Sequence, residues 1–504
     1  MINKNSIWKA TTEKVDFPKL QKDISVDVAI VGGGITGLTC AHLLSESGKS
    51  VAVLEAREIG GGTTGFSTGN LYSTVDSRLY HISSKFDKKT SKNVVESRAS
   101  AIDLIEQTIA KYSISCDFYR TPWHLFTESK EENKTIEKEY KALEKAGLSP
   151  TLSQSLLTPF KIESAVRIEG QAQFNPMKYV KALAKAISHD NCKIFENTRV
   201  LDFKAASPCV LETSLARISA KHIILASHTP KGAYAIQSAI SPYREDAIAV
   251  KLKNTENYPP QGIYWGLTKN QHHSFRTYTT TENQKFLVLV GEHYKVGQTE
   301  DTRKKFEALE KFARQRFDIA SIEYQWAAQS YRSADGLAYI GEIEENIFTG
   351  TGFSTDGLTY GTLAGMIISD TINGIKNPYA KMYDINRHNP LKAAKNYINE
   401  NLNVMGEYMK DLPGIADVDQ FKEIKQNEGK VISVEGEKIA AYRDINNKVY
   451  TLSAVCTHMK CIVNWNSAEK SWDCPCHGSR FDLNGTVIEG PAITDLLSKV
   501  IIEH

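Results

Sequence analysis

No stretch of roughly eighteen apolar residues occurs anywhere in the 504 residues, so no membrane-spanning helix is expected. The opening segment, MINKNSIWKATTEKVDFPKL, has no apolar run and predicts no secretory signal, which makes the cytoplasm the expected compartment. An excess of one charge is also missing: 61 Lys and Arg stand against 59 Asp and Glu, a formal net charge of +2. That balance provides no field to draw in nucleic acid or an anionic membrane, and neither is expected as a partner. Internal repeats and low-complexity tracts are absent, and hydrophobic and charged residues stand at 41% and 24%. Disordered, collagen-like and coiled-coil classes are excluded as the main architecture. Cysteine is scarce over most of the chain. Cys40, Cys116, Cys192 and Cys209 are scattered, whereas Cys456, Cys461, Cys474 and Cys476 crowd together near the end. In a cytoplasmic protein such a crowd points to a metal or redox site before a disulfide framework.

At about 150 residues per domain the length suggests three domains. Val26–Val31 is a short apolar, β-branched run bounded by glycines and predicts a buried parallel strand. Gly32-x-Gly34-x-x-Gly37 follows, then a helical pattern to Gly48, then a second strand over residues 50–54 ending at Glu55. The first glycine permits the tight turn, the second lets backbone approach a pyrophosphate, and the third lets helix pack on strand. Glu55 is placed to accept ribose hydroxyls. Residues 84–150 predict mostly helix. Helices are also expected over 176–189, 302–317, 360–373 and 391–412, with strands over 192–203, 221–227 and 286–290. The 391–412 helix ends at Pro413-Gly414 and reads as a tether. Residues 415–504 change to short strands and turns, a small β domain.

The fingerprint alone leaves FAD and NAD open. A second Gly/Thr-rich loop, Glu55 to Gly65 with Arg57, Thr63 and Thr64, then the strand ending Ala226-Ser227, then Asp335-Gly336 and Gly350-Thr-Gly352-Phe353-Ser-Thr-Asp356-Gly357-Leu358, together resemble the D-amino-acid oxidase/glycine oxidase superfamily of FAD enzymes. The resemblance spans about residues 25–385. It implies an α/β, Rossmann-like FAD-binding domain of the glutathione-reductase type, assembled from about 25–80, 155–235 and 325–385. The intervening segments supply an α+β substrate domain. It also implies non-covalent FAD on Gly32, Gly34, Gly37, Glu55, Arg57, Thr63, Thr64, Val200, Gly350, Gly352, Phe353, Asp356, Gly357 and Leu358. The family's Ala-x-Gly is Ala226-Ser227-His228 here, and the position of its carboxylate-anchoring Arg is Ser330, with Arg332 nearby but out of register. His228 and Arg332 are candidate catalytic residues, with a structural role the alternative for each. Tyr264, Arg276, His293, Lys295 and Tyr331 are polar groups of the substrate domain without an assigned place.

Cys456-x-His458 and Cys474-x-x-His477 offer two thiolates and two imidazoles. A zinc site more often pairs C-x₂₋₄-C with H-x₃₋₅-H, whereas a Rieske [2Fe–2S] centre takes two Cys on one iron and two His on the other. His477-Gly-Ser479-Arg-Phe481-Asp482 and Gly490-Pro491-Ala492 resemble the second cluster loop and proline loop of the Rieske family, so residues 415–504 read as a small all-β Rieske domain after a helical linker at 386–414. The resemblance implies a Cys461–Cys476 disulfide, a Ser479 hydroxyl donated to a cluster sulfur, and Phe481 where a Tyr donor stands in cytochrome bc-type proteins. Together the parts predict an FAD and iron–sulfur dehydrogenase. A small substrate, an amine or amino acid by resemblance, would be oxidised, and electrons would pass through the cluster to an unidentified acceptor, with the direction of flow left open. The alternative is an FAD oxidase using O₂, with the Rieske domain as a docking or redox-sensing module.

Overall fold

The computed structural model describes residues 2–387 and 421–499, apart from residues 233, 269–271 and 435. The expected tether helix over 391–412 lies outside the described residues.

Strand Ile24–Val31, helix Ile35–Glu46 and strand Val51–Leu54 form the expected β-α-β unit. Val51–Leu54 is apolar and buried throughout, as a strand covered on both faces of a parallel sheet must be. The sheet runs Tyr339–Glu344, Ile347–Thr351, Arg217–Leu225, Ile24–Val31, Val51–Leu54, Cys192–Phe195. All of these neighbours are parallel except the first pair, which is antiparallel. The chain switches sides at Ile24–Val31, so a crevice opens beyond its carboxyl end, where the glycine loop lies. Helix Gly357–Ile372 packs along Ile35–Glu46. A Cβ at Gly365 would come within 2.6 Å of the Thr39 side chain, so the close crossing of the two helices requires glycine there.

A second sheet of nine strands carries the other half of the FAD module. Its order is Ile319–Ser333, Ile240–Leu252, Lys285–Lys295, His272–Thr279, Ile263–Leu267, Tyr119–Thr127, Ser164–Gln173, Asn70–Leu71, with Thr151–Ser153 paired to Ser164–Gln173. Residues 84–150 are mostly helical as expected, but one strand interrupts them. Helices Lys88–Tyr112 and Asn133–Lys145 flank a strand, Tyr119–Thr127, which pairs on both edges. Its aromatic and β-branched content suits a pleated sheet, and long-range pairing decides the conformation there.

The C-terminal module has a three-stranded sheet (Glu428–Val434, Glu437–Arg443, Val449–Ser453) and a four-stranded sheet (Asn464–Asn466, Ser471–Asp473, Arg480–Phe481, Val487–Glu489) around buried Leu452, Trp472 and Phe481. A buried charge network joins it to the FAD module. Arg244, 1% exposed, pairs with Glu469 at 2.5 Å and with Glu489 at 3.5 Å. Arg480 pairs with Asp473, Glu469 and Glu489 at 3.0–3.1 Å.

Candidate functional site

The glycine loop is held open for a ligand by backbone sterics. Gly32 has φ +112°, and a Cβ there would lie 2.6 Å from the Ala226 carbonyl oxygen. A Cβ at Gly37 would run into the Gly32 carbonyl, so this glycine serves helix-on-strand packing. Gly34 caps helix Ile35–Glu46 without a side-chain hydrogen bond, which leaves helix N–H groups for an anion. The Glu55 carboxylate accepts from the N–H of Gly33 and of Arg57, both at 2.8 Å, and burial pushes its pKa up. Thr64 Oγ1 accepts from the Ile35 N–H at 3.1 Å.

One cavity collects Gly32, Gly34, Glu55, Arg57, Thr63, Thr64, Val200, Phe353, Gly357 and Leu358. Gly37, Gly350, Gly352 and Asp356 are not among its lining residues. Gly350 lies against Ala364 and Phe353, and Gly352 takes φ +70° against Ser333 and Tyr339. Asp356 turns inward. Arg98 pairs with it at 3.3 Å, the Tyr72 hydroxyl donates to it at 2.6 Å and the Asp76 N–H at 3.0 Å. Lys231, Arg57 and Arg199 add cationic side chains to the cavity wall, and burial followed by Arg199 pushes the Lys231 ammonium down to about 8. Backbone N–H groups, a helix N-terminus and cations in one crevice fit the phosphates of a dinucleotide.

Of the two catalytic candidates, His228 lines the cavity and Arg332 does not. His228 takes φ +72°, in the left-handed region that ordinarily favours glycine. Its Nδ1 lies 3.1 Å from Thr63 Oγ1, its ring meets Tyr331 edge-on at 4.7 Å, and burial depresses it to about 4, so it is neutral near pH 7. Arg332 stacks over Tyr243 at 4.4 Å. His293 and Tyr331 line the cavity, but Tyr264, Arg276 and Lys295 do not. Arg276 donates to the carbonyls of Thr68, Gly69 and Phe174, a structural role.

The far end of the cavity is charged, and of its residues only His293 stood out in the sequence, without a place. Asp76, Arg78, Trp265, Glu245, His272 and His293 line it. Arg78 covers the Trp265 ring at 4.8 Å and donates to the Asp76 carbonyl at 2.7 Å. Burial opposes ionisation of Asp76, but Arg332 and Arg78 hold its carboxyl below the usual range. Glu245 lies 3.1 Å from His293 Nε2 and is raised to about 8, by burial first and then by Asp76. Burial also lowers His272 to about 4 and His293 to about 3.

The four cluster candidates converge. The Cys456 thiol is lowered to about 7 by a hydrogen bond from Cys474, helped by the His458 N–H and the Ser479 hydroxyl. The His458 and His477 rings meet edge-on at 5.0 Å, and each Nδ1 is buried with no partner among the described residues. His458 Nε2 faces two acceptors, Gly232 O at 3.2 Å and Gln237 Oε1 at 3.1 Å. Those acceptors assign the ring proton to Nε2 and leave the Nδ1 lone pair for a metal. Two sulfurs and two orphaned imidazole nitrogens fit a Rieske cluster. Cys461 and Cys476 are disulfide-bonded with Cα atoms 6.5 Å apart, in line with the expected pairing. Cys461, Cys474 and Cys476 also lie close enough to form a thiol metal site, but the disulfide takes two of those sulfurs. The C-terminal module also walls the first cavity, through Val487, Ile488, Glu489, Gly490, Ala492 and Ile493.

Residues 27–371 match the family described as FAD dependent oxidoreductase, and residues 415–499 match the Rieske [2Fe-2S] domain. The Bacillus subtilis (strain 168) protein YhfW, named as a Rieske 2Fe-2S iron-sulfur protein, is 32% identical over 97% of this chain and 96% of its own. The gamma-glutamylputrescine oxidoreductase of Escherichia coli (strain K12) is 23% identical over 73% of this chain and 89% of its own. The crystal structure of glycine oxidase from Geobacillus kaustophilus superposes with a TM-score of 0.58 at 20% identity, covering 72% of this chain and 99% of that one, a likeness of fold.

Proposed function

The chain belongs to the FAD-dependent oxidoreductase family and carries a C-terminal Rieske [2Fe–2S] domain, so it binds FAD and an iron–sulfur cluster, and from that premise we propose that it is a dehydrogenase that oxidises a small amine or amino acid and passes the electrons through the cluster to an external acceptor. FAD supplies the chemistry of taking an electron pair and releasing it one electron at a time. The observation that carries the reading is the shared wall: the cavity lined by the Gly32–Gly37 loop is closed on another side by residues 487–493 of the Rieske module.

The protein's own residues then divide the work. The glycine loop, the helix N-terminus at Ile35, Lys231, Arg57 and Arg199 would hold the dinucleotide phosphates. Cys456 and Cys474 would hold one iron, and His458 and His477 the other through Nδ1. Glu245, paired with His293, would seat the substrate nitrogen and, in the fraction ionised as pH approaches about 8, accept its proton. A carboxyl raised to about 8 exchanges protons near neutral pH, and the walls around it exclude water. The Escherichia coli relative, named for gamma-glutamylputrescine, supports a nitrogen-bearing substrate. Domain bounds of 1–385, 386–414 and 415–504 accompany this reading. Buried, unpaired Cys40, Cys116, Cys192 and Cys209 support a reducing, cytoplasmic setting. Among the described residues no helix is long and apolar enough to cross a membrane.

The test is electron paramagnetic resonance on the anaerobic protein after limited reduction of its flavin. The reading expects the Rieske signal to grow as flavin is reoxidised. Reduced flavin beside a silent cluster would overturn it in favour of an oxidase that uses O₂.

A further inference from the structure

Each of the three loops around the cluster ligands is gripped by a side chain of the FAD module. On the first loop, His458 Nε2 faces Gly232 O and Gln237 Oε1. The Gln237 amide is itself fixed, because its Nε2 donates to Pro230 O at 3.1 Å and to Gly232 O at 2.7 Å, which aims Oε1 at the histidine. On the second loop, Gln329 Nε2 donates to Gly478 O at 2.8 Å, and Tyr331 Oη lies 3.2 Å from His477 O. On the proline loop, the same Tyr331 hydroxyl lies 3.1 Å from Gly490 O, and Gln329 Nε2 donates to Tyr331 Oη at 3.1 Å. Gln237, Gln329 and Tyr331 are each no more than 3% exposed.

The fit is close as well as polar. Gly478 takes φ +77°, and a Cβ there would lie 2.6 Å from the Pro242 side chain, 2.9 Å from Gln329 Nε2 and 3.1 Å from Tyr331 Oη. The second loop therefore meets the FAD module backbone-first. Tyr331 also reaches the other way. Its ring touches His228, which meets Thr63 on the far wall of the cavity.

We propose that Gln237, Gln329 and Tyr331 form a fixed seat that positions the cluster against the flavin cavity, so that electrons cross between the two cofactors without movement of the Rieske module. The seat deepens the relay reading and rests on it for the direction of flow. The transfer it serves is a single electron, oxidising reduced flavin and reducing one ferric iron, with no bond made or broken. These three are positioning residues, since they touch the loops and a ligand edge, not the irons.

The experiment compares the full-length holoprotein with Tyr331→Phe and with Gln237→Leu/Tyr331→Phe, each checked for unchanged flavin and cluster content. Hydrogen exchange over residues 474–479 and 487–492 reads the undocking equilibrium. Loss of two buried hydrogen bonds should speed exchange there by about tenfold or more in the double variant, and by less in Tyr331→Phe. In the same proteins the cluster should reduce more slowly after anaerobic flavin reduction, while dithionite reduces the flavin at the wild-type rate. The Gln237→Leu change also removes an acceptor from the outer N–H of His458, which lowers ligand basicity and should raise the cluster midpoint potential. A purely structural role would lower cofactor content and leave the transfer per intact molecule unchanged. Unaltered exchange, or unaltered transfer with both cofactors present, overturns the seat. If the wild type transfers no electron although its loops are protected, the relay reading fails and the seat's role in transfer fails with it. If the wild type transfers and the variants match it, the seat alone fails.

Discussion

The two cofactor sites of this protein are built on opposite principles. The flavin loop works largely through backbone: at Gly32 and Gly37 a single added Cβ collides with a carbonyl, and N–H groups at a helix start join Lys231, Arg57 and Arg199 in facing the phosphates. The cluster site works through side chains: two sulfurs converge, and two imidazole Nδ1 atoms are left buried and bare among the described residues. The first site is closed to any side chain that adds volume at Gly32 or Gly37. The second tolerates almost no change at its four ligands, yet depends on outside groups to fix the tautomer of His458. What joins them follows a third pattern, a buried layer of charges and amides between modules.

That joining layer gives the largest expected effect. Arg244 is buried between Glu469 and Glu489, which it shares with Arg480. Arg244→Ala would leave those carboxylates to Arg480 alone, at a cost of up to about 3 kcal/mol. Chemical denaturation of the holoprotein should show this, with undocking of the C-terminal module preceding loss of flavin. A single unchanged transition would show that the network contributes no more than the rest of the contact. Next comes the backbone site. Gly32→Ala would force a side chain into φ +112° and against Ala226 O, at a cost of about 1–3 kcal/mol in strain. The purified variant should lose its flavin absorbance and keep its Rieske signal, which separates the two sites. Retention of flavin would mean that side chains hold FAD more than the loop does.

Both sites were legible because each rests on residues a few positions apart. Gly32-x-Gly34-x-x-Gly37 and Cys474-x-x-His477 carry their chemistry within one turn or loop, so spacing alone specifies geometry. Asp356 shows where that logic ends. It sits in the right glycine-rich segment, but Arg98 and Tyr72, distant in sequence, turn its carboxylate away from the cavity. Gln237, Gln329 and Tyr331 follow no local pattern, since their partners lie 221, 149 and 146 residues away. Glu245 likewise alternates along an ordinary strand, and only the packing of Asp76 and His293 around it marks it. The strand Tyr119–Thr127 went unmarked within a segment read as mostly helix because its pairing partners, Ile263–Leu267 and Ser164–Gln173, come later in the chain.

The charged end of the cavity sharpens the contrast with the backbone-built end, and here pH is the tool. An unperturbed Glu titrates near about 4.3, whereas Glu245 is raised to about 8, by burial first. The folded protein then binds the extra proton between those values. Its stability from this group is present below the unfolded value and is lost as pH rises towards about 8. Glu245→Gln should therefore flatten the pH dependence and leave the variant more stable than wild type above pH 8, by about 1–2 kcal/mol after allowance for relaxation around the charge. Its flavin should also reduce more slowly with an amine substrate and lose any ionisation near pH 8. Parallel pH curves for the two proteins would remove Glu245 from the substrate end.

The smallest effect probes the cluster from within its own module. Phe481 is fully buried, and the neighbouring Ser479 hydroxyl already bonds Cys456. A hydroxyl added at Phe481 would be a second donor aimed at the sulfurs, and donors to sulfur stabilise the more negative, reduced state. Phe481→Tyr should raise the cluster midpoint by the worth of one hydrogen bond, about 1 kcal/mol or roughly 40 mV for a one-electron couple. The flavin potential should stay where it is, because the dinucleotide loop is built from another module's backbone. A redox titration that follows both signals in one sample measures this directly. A rise confined to the cluster would show that the two sites are tuned independently even though they share a wall. An unchanged cluster midpoint would mean the hydroxyl does not reach a sulfur, leaving Ser479 as the donor on that side. A shift in both potentials would mean that the buried charges of Arg244, Glu469 and Glu489 transmit the change, and the contrast between a backbone site and a side-chain site would give way to one coupled unit.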